Sequence, residues 1–327
     1  MVTPRSRIHR LRRLLPAALV AALVALPVIG AARPADVPAP RPTSSAVALG
    51  PVDSASLRAR FAATRADIEA AERTAEEHGD GERASALEAM AAADRHFLTF
   101  DGRDGGRTAE VFGDLARAER IAVVVPGADV TVDNYWRLRD GSRSLRRELP
   151  AGSAVIAWLG YRPPSTISLA TVNSERGSDA GHALRAFVAE LTDALPQART
   201  TLVCHSYGTV VCAHAASRSP VADIVLCGSP GTGYQDVGSL HTHATVWAGR
   251  GRDDWIADVP HLRLRLGFTE VGLGTDPLSP EFGARVFDAG DGGHSDYFAP
   301  GSPSLRNIAR IVAGRAPSGT SSGGHHA

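Results

Sequence analysis

The chain has 327 residues, 35 basic and 35 acidic side chains, and a hydrophobic content of 43%. That length allows one large domain or two small ones with a sizeable core. The charge balance removes the electrostatic case for a nucleic-acid partner, and every basic side chain is arginine, lysine being absent.

Residues 1–35 carry a targeting signature. Arg5, Arg7, Arg10, Arg12 and Arg13 precede an apolar stretch from Leu14 to Ile29, and Gly30-Ala31-Ala32 offer small residues for cleavage. The apolar stretch is shorter than the ~20 residues of a spanning helix. The expectation is a signal peptide and a secreted or cell-envelope protein. An uncleaved anchor is the alternative, and it is the one membrane contact foreseen. Residues 36–52 are rich in proline and alanine without periodicity and read as a linker.

Asp53 caps a predicted helix to about Glu77, with Leu57, Phe61, Ile68 and Ala71 on one face. Glu82 to Asp94 reads as a second helix. The pair, residues 53–95, looks like an N-terminal addition packed on a main domain of residues 96–314. Two alternating runs, 96–100 and 108–112, flank a glycine-rich turn and predict a hairpin. Strands and helices then alternate. Strands are expected at Ile121–Val125, Ala154–Leu159, Thr201–Cys204, Ile224–Cys227, Ala244–Ala248 and Arg285–Asp288. Helices are expected at Thr131–Arg147, Asp179–Leu195, Tyr207–Ser217 and Ser304–Val312. An antiparallel start followed by β-α-β units implies an α/β fold, a mostly parallel sheet with helices on both faces. Residues 315–327 are polar and glycine-rich, and disorder is expected there.

The stretch Cys204-His205-Ser206-Tyr207-Gly208 lies between a strand and a helix. It matches the nucleophile elbow G-x-S-x-G except for cysteine at the first glycine. A serine hydroxyl is a weak nucleophile and needs a base and an acid that orients the base. In this architecture they follow in the order acid, histidine, each after a later strand. Asp253 and Asp254 follow the strand at 244–248, and His294 follows the strand at 285–288. An ordinary strand-to-helix turn is the alternative reading of the elbow, but it does not account for that order. His205 is expected to face away from the hydroxyl, and His214 lies one turn too deep on the helix. His241 and His243 with Asp236 form at best a weak metal pair, and His261 has no acid timed to it. His325 and His326 are too few for a metal site. No metal or other cofactor is called for.

Pro126-Gly127-Ala128 closes the third strand, where one oxyanion donor belongs; the backbone N–H groups of Ala128 and Tyr207 are the candidates. Cys204, Cys212 and Cys227 read as buried small residues. A Cys204–Cys227 bridge between neighbouring strands is possible but disfavoured, because it would strain the elbow. Trp136, Tyr161, Tyr234 and Trp255 lie near predicted strand ends and could line an acyl or aromatic pocket, or belong to the core. The loop Arg162 to Ser178 is the lid candidate.

Pro126-Gly127, Cys-His-Ser-Tyr-Gly at 204–208, Gly228-Ser229-Pro230-Gly231, Gly-His-Ser-Asp-Tyr-Phe at 293–298 and Ser-Leu-Arg-Asn-Ile-Ala-Arg at 304–310 resemble an actinobacterial alpha/beta-hydrolase family long catalogued as a domain of unknown function. The likeness runs from about residue 85 to 313. It implies a Ser–Asp–His triad at Ser206, Asp254 and His294. Asp254 is preferred over Asp253 because the family's acid is followed at two residues by an aliphatic, here Ile256. The expected activity is hydrolysis of an ester, thioester or amide, with esterase chemistry ahead of peptidase chemistry; the resemblance implies no natural substrate. The competing expectation is a catalytically silent domain of the same fold that binds an envelope component or a partner.

Overall fold

A computed structural model describes residues 38–44, 49–50, 52–164, 174–258, 263–266 and 269–319. The predicted signal segment lies outside the described residues. The sheet is built from β1 (Phe97–Asp101), β2 (Arg107–Phe112), β3 (Arg120–Val125), β4 (Ser153–Leu159), β5 (Arg199–His205), β6 (Asp223–Cys227) and β7 (Thr245–Gly249). Two more strands, β8 (Arg263–Leu266) and β9 (Thr269–Gly272), form a separate antiparallel hairpin, and β10 (Arg285–Val286) returns to the main sheet. The eight strands lie in the order β1-β2-β4-β3-β5-β6-β7-β10. Only β1–β2 and β2–β4 pair antiparallel; the rest is parallel. This is the alpha/beta-hydrolase fold.

Six α-helices are described: α1 (Ser54–Glu77), α2 (Gly81–Met90), α3 (Trp136–Glu148), α4 (Ser174–Ala194), α5 (Gly208–Ala216) and α6 (Pro303–Val312). The pleat decides which helices cover which face. Ile121, Val123 and Val125 of β3 pack into one core with Leu184 and Val188 of α4 and Val211 of α5. Ala122 and Val124 point the other way, into a core with Ile68 of α1, Leu87 of α2, Leu145 of α3 and Ile308 of α6. A strand buried on both faces has no polar side, so β3 reads as a continuous apolar run.

Several boundaries differ from those expected. Helix α3 begins at Trp136, not Thr131. Asn134 takes the N–H of Thr131 on its side-chain oxygen (2.8 Å) and donates to the Asp129 carbonyl (2.7 Å). Asp129 itself adopts a φ of 61°. Local side-chain bonds of this kind compete with the helix. Helix α4 starts at Ser174, so the last residues of the lid candidate are its first turn; residues 165–173 lie outside the described residues. The strand at 285 is two residues long, because Asp288 turns the chain by accepting the Gly290 N–H (2.9 Å). The β8–β9 hairpin had no counterpart among the expected elements.

Both flanking segments are partly anchored. Within the predicted linker, the Asp67 carboxylate accepts the N–H and hydroxyl of Thr43 and of Ser44 at 2.5–3.0 Å. Within the predicted tail, Asn307 accepts the Ser318 N–H at 2.9 Å; residues 320–327 lie outside the described residues.

The cysteines correct the sequence reading. Cys204 and Cys212 form a disulfide, and Cys227 is the free, buried one. In the β5–β6 register Cys204 faces Leu226 and His205 faces Cys227. Cys204 and Cys227 therefore point to opposite sides of the sheet, which rules out a bridge between them. Cys212, on the helix that directly follows the elbow, shares the face of Cys204.

Candidate active site

Ser206 sits between the end of β5 and the start of α5 with a φ of 54°. A non-glycine residue in this left-handed region is strained, and a nucleophile elbow requires such strain. Its N–H donates to the Cys227 carbonyl at 3.0 Å, tying the turn to the end of β6. A Cβ on Gly208 would lie 2.5 Å from the Pro126 carbonyl oxygen and 2.6 Å from that of Val125. The end of β3 demands a small residue there. Cys204 is accommodated because its sulfur is directed to Cys212.

The other two side chains converge from two loops. The Ser206 hydroxyl lies 2.9 Å from Nε2 of His294, and Nδ1 of His294 lies 2.8 Å from Oδ1 of Asp254. Asp254 follows β7, is 2% exposed, and precedes a short 3₁₀ turn at Trp255–Asp258. Asp253 is exposed. His294 is carried by the loop between β10 and α6, where Asp296 accepts the Gly293 N–H at 2.9 Å and tightens the turn.

Every oxygen of Asp254 has a donor. Oδ1 also accepts the Ile256 N–H (2.9 Å), and Oδ2 accepts the Tyr297 hydroxyl (2.5 Å). Tyr297 in turn accepts the Gly251 N–H at 3.1 Å. Burial pushes the Asp254 carboxyl up, but the bonds from His294, Tyr297 and Ile256 outweigh it and hold the group below its ordinary range. Burial, then the bond to Asp254, pushes the Tyr297 phenol far up, so it stays a neutral donor.

His205 does not turn away from the site. It is half-buried, its Nε2–H donates to the His294 carbonyl (2.7 Å), and its ring lies 4.8 Å from that of His294. A carbonyl can only accept, so this bond fixes the His205 tautomer. Burial, then the neighbouring His294, lowers the His205 pKa to about 4. Sequence reasoning missed Tyr297 and His205 as parts of the site. Both stand inside the quoted motifs, but nothing in those motifs says which way a ring points.

Gly127 lies against the serine, and Ala128 borders the same cavity. A Cβ on Gly127 would fall 2.6 Å from the Cβ of Ser206. Among the described residues, no carbonyl or side chain accepts from the N–H of Ala128 or of Tyr207. Both amides are thus without a protein acceptor among the described residues.

A cavity of about 500 Å³ opens onto Ser206 and His294, with the 127–130 loop, Trp136, Leu138, Gly141, Trp255 and Phe298 among its walls. Of the four aromatics considered from sequence, Trp136 and Trp255 line it. Tyr161 is buried, donating to the Pro126 carbonyl (2.6 Å), and Tyr234 meets Nδ1 of His214 (3.3 Å). Asp236 caps a turn at Ser239 (2.7 Å). Among the described residues no group of three His, Cys, Asp or Glu side chains is arranged to hold a metal ion. His261, His325 and His326 lie outside the described residues.

A family profile described as alpha/beta hydrolase matches residues 101–264, half of the chain. The chain belongs to the alpha/beta hydrolase family. Ser206 and Asp254 fall inside the matched residues and His294 beyond them. Among curated proteins, the uncharacterized protein Rv2079 of Mycobacterium tuberculosis is 31% identical over 251 residues, 66% of this chain but 38% of that protein. The uncharacterized protein Mb0988c of Mycobacterium bovis is 32% identical over 136 residues, 37% of this chain and 50% of that protein. The chain thus spans half or less of the length of these relatives. Among solved structures, XC6422 from Xanthomonas campestris, a serine hydrolase without a lid, aligns with a TM-score of 0.43 at 17% identity, covering 68% of this chain and 94% of that one. An esterase domain from a Rhodothermus marinus protein aligns with a TM-score of 0.37 at 13% identity, covering 68% and 96%. These structural likenesses carry no functional information about this chain.

Proposed function

We propose that the protein is a serine hydrolase that transfers the acyl group of an ester, thioester or amide to water. The hydrogen-bonded chain from Ser206 through His294 to Asp254, at a strained elbow facing an open cavity, is the observation that carries this reading.

In the first half-reaction the Ser206 oxygen attacks the carbonyl carbon while its proton passes to Nε2 of His294. Asp254 orients the ring and stabilises the imidazolium. The carbonyl oxygen becomes an anion held by the amides of Tyr207 and Ala128. The bond to the leaving group then breaks, and that group departs with the proton from His294. Water repeats the sequence on the acyl-enzyme: it gives its proton to His294, attacks the acyl carbon, and Ser206 leaves with that proton. Ser206, His294 and the two amides touch the reacting atoms, and Asp254 acts through His294.

The test is Ser206→Ala together with a fluorophosphonate probe. The wild type should turn over an activated ester and take the label at Ser206. Ser206→Ala should lose both, with turnover down on the order of 10⁴-fold or more. A wild type that takes no label would instead fit a silent binding domain. We also propose export through residues 1–35; N-terminal sequencing of the protein recovered from culture supernatant, beginning near residue 33, is the expected result.

A further inference from the structure

We propose that the cavity beside Ser206 is an acyl pocket, and that the substrate is an ester whose acyl group is an uncharged, apolar chain of medium length. This rests on the serine-hydrolase reading above. Three observations carry it.

The first is the distribution of polarity. The charged residues bordering the cavity, Asp129, Arg137 and Asp140, are all exposed, whereas Val130 and Leu138 are 9% and 6% exposed. Charge sits at the mouth and apolar surface inside. A charged acyl group would enter this interior without a partner, which is unfavourable.

The second is exposure. Among the described residues the exposed large hydrophobic side chains are Trp136, at 60%, and Trp255, at 46%. Both border this cavity. Exposed apolar surface gathered at one concave site marks a place where something apolar binds. The two tryptophans divide the work. The leaving group takes its proton from His294, so it must lie beside that ring, and the Trp255 ring is 4.8 Å from it. The wall formed by Val130, Trp136, Leu138, Gly141 and Phe298 then remains for the acyl chain.

The third is Gly141. It stands in the interior of α3, where glycine weakens a helix relative to alanine. A Cβ there would lie 3.2 Å from three atoms of the Phe298 side chain. Its absence lets that ring rest against the helix, and both residues face the cavity. Gly141 and Phe298 therefore set how much chain the pocket accepts.

The experiment measures kcat/KM for p-nitrophenyl acetate, butyrate, octanoate and palmitate, with the leaving group held constant. Burial of one methylene corresponds to about fourfold; octanoate should exceed acetate by at least about tenfold, with palmitate falling back. Gly141→Leu should cut the octanoate-to-acetate ratio by about fivefold or more. Trp136→Ala, at a side chain too exposed to threaten folding, should cut it as well, and Phe298→Ala should move the optimum to longer chains. A p-nitrophenyl ester of succinate should be a poorer substrate than the butyrate. Ser206-dependent turnover with a flat profile, with a ratio unmoved by both Gly141→Leu and Trp136→Ala, or with succinate preferred, would overturn the acyl-pocket proposal while leaving the hydrolase reading in place. Failure of the wild type to turn over any ester or to take a fluorophosphonate label would overturn the hydrolase reading itself.

Discussion

At Asp254 both carboxylate oxygens are occupied and the group is buried, whereas its neighbour Asp253 is in solvent. Asp254→Asn replaces one acceptor oxygen by an NH₂ group that cannot accept from His294 or Tyr297. Turnover should fall by roughly 10³–10⁴-fold, as loss of the orienting acid does in such sites. Asp253→Asn should cost less than about tenfold. The reverse ranking on one ester, with both variants folded by circular dichroism, would move the acid to Asp253. His205 makes a stability prediction of its own. Its pKa is lowered from 6.5 to about 4 in the fold, facing His294, Asp254 and Tyr297. Between those values the unfolded chain binds the extra proton, so stability climbs as pH rises from about 4 to 6.5. His214, also lowered by burial, contributes with the same sign. The Asp254 contribution is lost only below 3.8, outside that window. His205→Gln keeps an N–H for the His294 carbonyl and removes the titration. Its melting temperature should therefore rise less steeply over this pH range than that of the wild type. Equal slopes would show that His205 is not buried uncharged.

Among the elements, the elbow is closed by a covalent bond that the strand and helix patterns do not announce. The Cys204–Cys212 disulfide joins residues eight positions apart, with Ser206 inside the loop. A loop of that size restricts the unfolded chain by roughly 2–3 kcal/mol. Replacing both cysteines by alanine should lower unfolding stability by about that amount, measured by urea titration. A change below about 0.5 kcal/mol would mean that packing alone holds the elbow. The strands of the main sheet were legible from their sequence runs and the start of α1 from its Asp53 cap, but the β8–β9 hairpin and the start of α3 were not. The amphipathic pattern was read from Thr131 onward, but Thr131 to Tyr135 are weak helix formers, and Asn134 captures their backbone in a turn. Whether that turn wins depends on Asp129, which donates to the Pro164 carbonyl (3.0 Å), a contact across the fold that periodicity does not carry.

For the whole molecule, the N-terminal helices are joined to the sheet by a buried ion cluster. Glu110 of β2, 1% exposed, accepts two bonds from Arg95 at 2.7 and 2.8 Å and lies 3.5 Å from Arg139 of α3. Arg95 also donates to the Ala89 carbonyl of α2 (2.9 Å) and stacks over Phe97 of β1. Four elements thus meet around the Arg95–Glu110 pair. The helical pair and the sheet fall within a single compact unit. Glu110→Gln leaves buried guanidinium charge uncompensated and should cost about 3–5 kcal/mol, measured as a loss in the free energy of unfolding. A loss below about 1 kcal/mol would show that the cluster is solvated and that the helices are held by apolar packing alone.

Sequence alone determined the strand runs of the main sheet and the elbow, which depend on residues a few positions apart, and the order in which serine, aspartate and histidine follow later strands, which depends on chain order alone. The resemblance already pointed to Asp254 ahead of Asp253; only the tertiary structure decided which cysteine pairs with Cys204, which aromatics border the cavity and how His205 is used. Those outcomes depend on the phase of the pleat, which puts Cys204 and Cys227 on opposite faces. They also depend on how loops from distant strands meet: Asp254 and His294 are 40 residues apart, and a single hydrogen bond joins them.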